Sequence, residues 1–248
     1  MPKTSETRPS IIIESVAKHF TLRHTQSFKE LFISWVRRKP LTTSFQALDG
    51  IDLRVGEGES VALLGYNGSG KSTLLKLISG VLRPDRGRVL TRGRVAGLIE
   101  VGAGFHPDLS GRDNVYLNAA ILGMSRAEID ARFDEIVEFS EIGEFIDTEV
   151  KHYSSGMFVR LAFSVAIHTE LDILLVDEVL AVGDAPFREK CKAKIRELVE
   201  QGKTMFVVSH DVRMVTELCT RGIVIRRGRM IFDGPVDEAV VTLKESTR

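Results

Sequence analysis

The stretch SVALLGYNGSGKST, residues 60–73, decides how the rest of this chain is read. Ser60 to Leu64 is short and almost wholly apolar, the pattern of a strand covered on both faces in a parallel sheet. Gly65 to Ser72 then fits G-x-x-x-x-G-K-[ST], and a helix is expected from about Lys71 to Ser79. The reason for this composition is steric and electrostatic. Glycines let successive backbone N–H groups converge on phosphate oxygens, and the helix N-terminus adds positive potential. On this reading Gly65, Tyr66, Asn67, Gly68, Ser69, Gly70, Lys71, Ser72 and Thr73 form a phosphate cradle. Lys71 then reaches the β- and γ-phosphates and Ser72 ligates Mg²⁺. A chance glycine-rich turn is the competing reading, and the strand before and helix after argue against it.

Two later strand ends answer the cradle. ILLVDE, residues 173–178, closes a buried run with two carboxylates, where a strand beside the cradle would deliver them to the C-terminal edge of the sheet. Asp177 is then expected to hold Mg²⁺, and Glu178 to polarise an attacking water. VVSHD, residues 207–211, ends the next strand in the same way and places His210 to donate a hydrogen bond to a γ-phosphate.

Around these lie further elements. Ser10 to Val16 and Phe45 to Val55 read as β-rich runs. Between them, Phe28, Leu31, Phe32, Trp35 and Val36 share one face of a helix over 27–39, with Arg37, Arg38 and Lys39 in its last turn and Pro40 stopping it. Ser110 can cap a helix to about Leu122, Ser125 with Glu128 forms a capping box for another to Phe139, and a third runs from about Ser155 to His168. These make a helical lobe, about 105–170. A helix from about Phe187 to Gln201 separates the strands Asp172–Val176 and Thr204–Val208, and a last helix covers about Val236 to Lys244. The alternation predicts an α/β core with helices on both faces of a mainly parallel sheet.

Composition bounds the function. The 248 residues carry 34 Lys+Arg against 34 Asp+Glu, so no global basic field marks nucleic acid as the default partner. Cys191 and Cys219 stand apart without metal-ligand spacing, which fits a reducing compartment and no disulfide framework. No apolar run approaches the roughly 20 residues that span a bilayer. The first ten residues are polar, the pattern of a frayed leader. The length fits one domain over 1–248.

With these residues assembled, the chain resembles the ATP-binding subunit of an ABC transporter, whose fold is a P-loop α/β domain with an N-terminal antiparallel β subdomain and a helical signature subdomain. YSSGM, residues 153–157, is similar to the family's signature motif, usually L-S-G-G-Q, with Ser155 in place of Gly and Met157 in place of Gln. The resemblance implies that Ser154, Ser155 and Gly156 meet the γ-phosphate held by a second copy. It also implies that Asp184, in AVGD, is the D-loop aspartate and that Glu100 stands at the Q-loop position, where glutamine is usual, as a ligand to Mg²⁺ or its water. Phe20 resembles the A-loop aromatic that stacks on adenine, with a core aromatic as the alternative.

The phrases EVGAGFHPDLSGRDNVYLN (100–118), YSSGM and DEVLAVGD (177–184) are similar to subunits that export polysaccharides such as O-antigen, teichoic acid, capsule or galactan on a lipid carrier. The resemblance implies Mg·ATP hydrolysis by a homodimer that sandwiches ATP at the cytoplasmic face of the membrane. It further implies two copies of an integral membrane permease that carry the lipid-linked glycan, and Val101 to Met124 as a docking surface. The chain stops soon after its last helix, so no C-terminal carbohydrate-binding domain is expected. Two readings of the insertion at about 24–44 stand side by side: packing on its own domain, or a place at the membrane–water boundary. The rival functions are a soluble ABC ATPase acting on ribosomes or DNA, a nucleotide-binding switch without turnover, and an importer subunit.

Overall fold

The computed structural model describes residues 8–23, 42–98, 102–177, 183–209 and 212–246. Two sheets and a helical lobe share one framework. The smaller sheet has order β2-β1-β4 and is antiparallel, from β1 (Pro9–Arg23), β2 (Thr42–Gly56) and β4 (Arg86–Thr91). The larger has order β5-β6-β7-β3-β8-β9, from β3 (Ser60–Leu64), β5 (Val95–Gly97), β6 (Ile173–Val176), β7 (Thr204–Val207), β8 (Arg221–Arg226) and β9 (Arg229–Pro235). Its pairings are parallel except the β8–β9 hairpin. The expected α/β class and mainly parallel core are therefore present, with the antiparallel β subdomain beside them.

All five residues of β3 are buried because both of its faces are covered. Val61 and Leu63 pack toward the small sheet, among Ile11, Ile13, Leu48 and Ile51, and toward Leu74 and Leu75 of α1 (Lys71–Ile78). Ala62 and Leu64 face the opposite layer with Phe187, Cys191 and Ile195 of α5 (Ala185–Glu200) and Val236 and Ala239 of α7 (Val236–Glu245). Between α5 and α7 in sequence lies the short α6 (Val212–Leu218).

The lobe consists of α2 (Gly111–Ile121), α3 (Arg126–Ser140) and α4 (Ser155–His168) around Val115, Ile129, Ile136, Leu161 and Val165. On its other side α4 sends Phe163, Ala166 and Ile167 into the sheet layer, so one helix is shared by lobe and core. The expected caps are in place. Ser110 Oγ accepts from the Asp113 N–H, and Ser125 and Glu128 form the reciprocal capping box. The Ser125 backbone N–H, with help from its hydroxyl and from Arg94, holds the Glu128 carboxyl down at about 2.

The structure corrects the first two strands. β1 continues past Val16 to Arg23, and β2 starts at Thr42, because Phe20 to Arg23 pair with Phe45 to Thr42. The insertion is thereby shortened at its second end from about residue 44 to before Thr42. The helix expected over 27–39 lies outside the described residues. Among the described residues no helix is long and apolar enough to cross a membrane.

Candidate functional site

β3 delivers its C-terminal end to the glycine loop, and α1 leaves it at Lys71. Gly70, the residue before α1, has φ 112°, and a Cβ there would stand 2.6 Å from the Ala47 carbonyl oxygen, so only glycine fits. The residue before α1 is a glycine and brings no side-chain cap, a helix start that suits an anionic acceptor. Phe45, Ala47, Asn67, Gly68, Gly70, Lys71, Ser72, Thr73, Asp177 and Val208 line one cleft of about 290 Å³. The structure thus brings Asp177, at the mouth of β6, to the cradle.

Lys71 is buried, and its Nζ donates to the carbonyls of Gly65 at 2.7 Å and Tyr66 at 3.2 Å. The ammonium is therefore folded onto its own loop. A phosphate oxygen would offer it a stronger, charge-assisted partner than these neutral carbonyls. Ser69 is buried behind the cleft, whereas Tyr66 is exposed and its hydroxyl donates to the Leu243 carbonyl of α7 at 3.0 Å.

The loop is buttressed from behind. The Gly228 N–H, in the β8–β9 turn, donates to Ser69 O at 2.9 Å, and the Asp49 N–H donates to Gly228 O at 2.8 Å. Arg229 Nε closes the stitch on Asp49 Oδ2 at 2.7 Å and holds that carboxyl below its usual range. Gly228 has φ 77°, and a Cβ would lie 2.7 Å from Ala47 O. This buttress joins residues far apart in sequence, and no local motif announces it.

Oxygen chemistry suits the expected Mg²⁺. Ser72 and Asp177 supply a hydroxyl and a carboxylate to one cleft, and Mg²⁺ takes few protein ligands beside phosphate oxygens and water. Among the described residues no three His, Cys, Asp or Glu side chains form a closed metal cage. Glu100, Glu178 and His210 lie outside the described residues.

Phe45 is an aromatic residue of the site that no sequence motif marks. It pairs directly with Phe20 across the β1–β2 ladder, so both side chains share one face, and Phe45 is the one that lines the cleft. Its position follows from the register across the insertion, which no short pattern encodes.

The signature segment stands elsewhere. Ser154 caps α4, its Oγ accepting from the Met157 N–H at 3.2 Å, and Ser155 is exposed in the first turn. A Cβ on Gly156 would meet nothing closer than 3.8 Å, so within this chain a side chain would fit. None of the three lines the cradle cleft. Asp184 caps α5, and its Oδ1 also accepts from Arg160 at 2.8 Å, so its carboxylate is engaged within its own chain.

A second, apolar groove of about 280 Å³ lies between α1, β5 and the lobe, lined by residues including Val81, Gly102, Ala103, Asn118, Ile121 and Leu122. Val81 and Ile121 are 62% and 60% exposed, which leaves the groove rim greasy and open. Its floor is rigid. Asn118 Nδ2 donates to Ala103 O at 2.7 Å, and the fully buried Asn114 exchanges hydrogen bonds with the His106 backbone. These bonds explain why the phrase 102–118 carries two asparagines on one helix face.

Fold and cradle together define a nucleotide-binding cassette of the P-loop kind. The ABC transporter family matches residues 48–181, and the chain belongs to that family. It is 43% identical over 242 residues to the O-antigen export system ATP-binding protein RfbB of Klebsiella pneumoniae, covering 96% of this chain and 98% of that one. It is 52% identical over 190 residues to the ABC transporter protein AbcA of Aeromonas salmonicida, covering 77% of this chain and only 62% of AbcA. A solved ATP-binding subunit of an ABC transporter superposes with TM-score 0.74 at 20% identity, over 94% of this chain and 99% of that one, and shares the fold.

Proposed function

We propose that this chain is the ATP-hydrolysing subunit of an exporter that moves a lipid-linked polysaccharide across the cytoplasmic membrane. The observation that carries the reading is the single cleft holding Lys71, Ser72 and Asp177, in a chain closely similar to an O-antigen export subunit. Backbone N–H groups of the loop and the open end of α1 take the phosphate charge. Lys71 leaves the Gly65 and Tyr66 carbonyls for the β- and γ-phosphates, and Ser72 and Asp177 hold Mg²⁺. The bound ion supplies neutralisation of the phosphate oxygens during transfer to water. Glu178 orients that water, and His210 donates to the γ-phosphate.

Ser154 and Gly156 serve a second copy. Because the signature is absent from its own cradle cleft, one chain supplies half of each site, and ATP closes two copies head to tail. The apolar groove at Val81 and Ile121 takes a short segment of an integral membrane permease at the inner face of the membrane, one permease chain per copy. The groove borders the 102–118 phrase, which follows Glu100 in sequence and relays the state of the cleft.

The test is hydrolysis by the purified chain and its Lys71→Ala variant, with and without the permease. Turnover by the parent, a fall of roughly 100-fold or more in the variant, and stimulation by a lipid-linked glycan in the reconstituted complex support the proposal. A chain that never hydrolyses Mg·ATP with its permease present refutes it.

A further inference from the structure

Arg160 lies one turn beyond Gly156 on α4, and its guanidinium joins three elements. One arm donates to Asp184 Oδ1 at 2.8 Å, at the entrance to α5, and another to Glu141 Oε2 at 2.9 Å, at the end of α3. Its centre sits 5.0 Å from the Phe187 ring centroid. Below it Phe139, Phe163 and Phe187, one from each of α3, α4 and α5, pack at centroid distances of 5.8 to 6.4 Å. Lys190 completes the node, donating to Glu141 Oε1 and to the Phe139 carbonyl, both at 3.1 Å.

Two details set this node apart from ordinary surface ion pairs, which contribute little. Arg160 has only 21% of its side chain exposed and is fixed by stacking, so its planar fork is pre-organised. Glu141 ends α3 at φ 59°, a conformation suited to glycine, yet its carboxylate is what Arg160 and Lys190 share. A glycine would relieve the backbone and forfeit both bonds.

We propose that Arg160 is a positioning residue for ATP-driven pairing of two copies. It sets the signature segment at one end of α4 against Asp184 of the same chain, so that both elements reach the neighbouring copy in one fixed relation. The inference rests on the paired reading above and goes beyond it, since it makes pairing depend on a bridge internal to each copy. Arg160 touches no nucleotide; it acts through the placement of Ser154, Gly156 and Asp184.

The experiment uses the full chain with turnover blocked by Glu178→Gln, measuring pairing by sedimentation against Mg·ATP concentration. Binding of a fluorescent ATP analogue is measured at protein concentrations that keep it single. In Arg160→Ala, binding to the single copy is expected to stay within about twofold, while the ATP needed for half pairing rises about tenfold, the scale of one lost charge-assisted bridge. Arg160→Lys recovers part of this, because one ammonium cannot reproduce the two-armed fork. Asp184→Asn keeps a good helix cap and removes only the ionic partner, so it tests the bridge even if Arg160→Ala folds poorly. It is expected to raise the pairing concentration, and the double variant to be no worse than Arg160→Ala alone. Pairing of Arg160→Ala at the parent's ATP concentration, or effects that multiply in the double variant, overturns the inference while the paired reading stands. A parent that never pairs overturns both.

Discussion

Phe20 and Phe45 stand opposite each other on one sheet face, and the cleft wall belongs to Phe45. A base laid against that wall would be held mainly by stacking, which is worth about 1–3 kcal/mol per ring. Phe45→Ala is therefore expected to raise the KM for ATP about tenfold with a small change in kcat, and Phe20→Ala to do less; steady-state kinetics on both variants decides it. At this scale the sequence was legible wherever one residue's chemistry is set by its immediate neighbours in the chain. Gly70, Lys71 and Ser72 are of that kind, and so is Asp177 at its strand end. Phe45 was not, because it faces the cleft through the register of two long strands separated by an insertion. Arg160 was not either, because nothing in its own segment names Glu141 or Asp184 as partners.

Among the elements, helix starts were the most readable. Ser110 and Ser125 cap helices as expected, because a cap is a bond between residues three apart, whereas Asp184 caps α5 at Ala185, ahead of the expected start at Phe187, and Ser154 caps α4 from within the signature segment. Ser125→Ala should cost about 1 kcal/mol, seen as a fall of about 2–4 °C in Tm for a chain of this size. The same cap carries a pH signature. The Glu128 carboxyl is lowered from 4.5 to about 2 in the folded chain, so its contribution is complete above 4.5 and disappears as pH falls toward 2. Ser125→Ala should flatten the decline of Tm across that window, as measured by calorimetry. Strands were harder to find. β4 reads RGRVLT, with only Val89 packed against the core from an otherwise exposed run, so it lacks the alternation that marks a half-buried strand. The three-residue β5 is too short to show any period.

For the molecule as a whole, the parallel layer could be read from runs such as Ile173–Val176, whose burial on both faces leaves no polar alternation. The order of the strands could not, because it is fixed by which side chains fill the space between layers. That space encloses both cysteines. Burial pushes Cys191 and Cys219 up to about 12, so neither thiol offers much thiolate at neutral pH. A thiol-reactive dye at pH 8 is expected to label neither in the folded chain and both in denaturant, with labelling rates that report opening of the layer between the large sheet and α5. Rapid modification of either under native conditions would contradict this packing.

The place of β3 has a consequence for how the molecule is made. Its neighbours in the sheet are β7 and β8, and the carbonyl of Ser69 accepts from the Gly228 N–H. The strand that carries the cradle is thus synthesised in the first third of the chain and housed by the last quarter. Contacts so distant in sequence form late and slowly. The phosphate loop therefore gains its Gly228 buttress, and β3 its two flanking strands, only after the last quarter of the chain has been made.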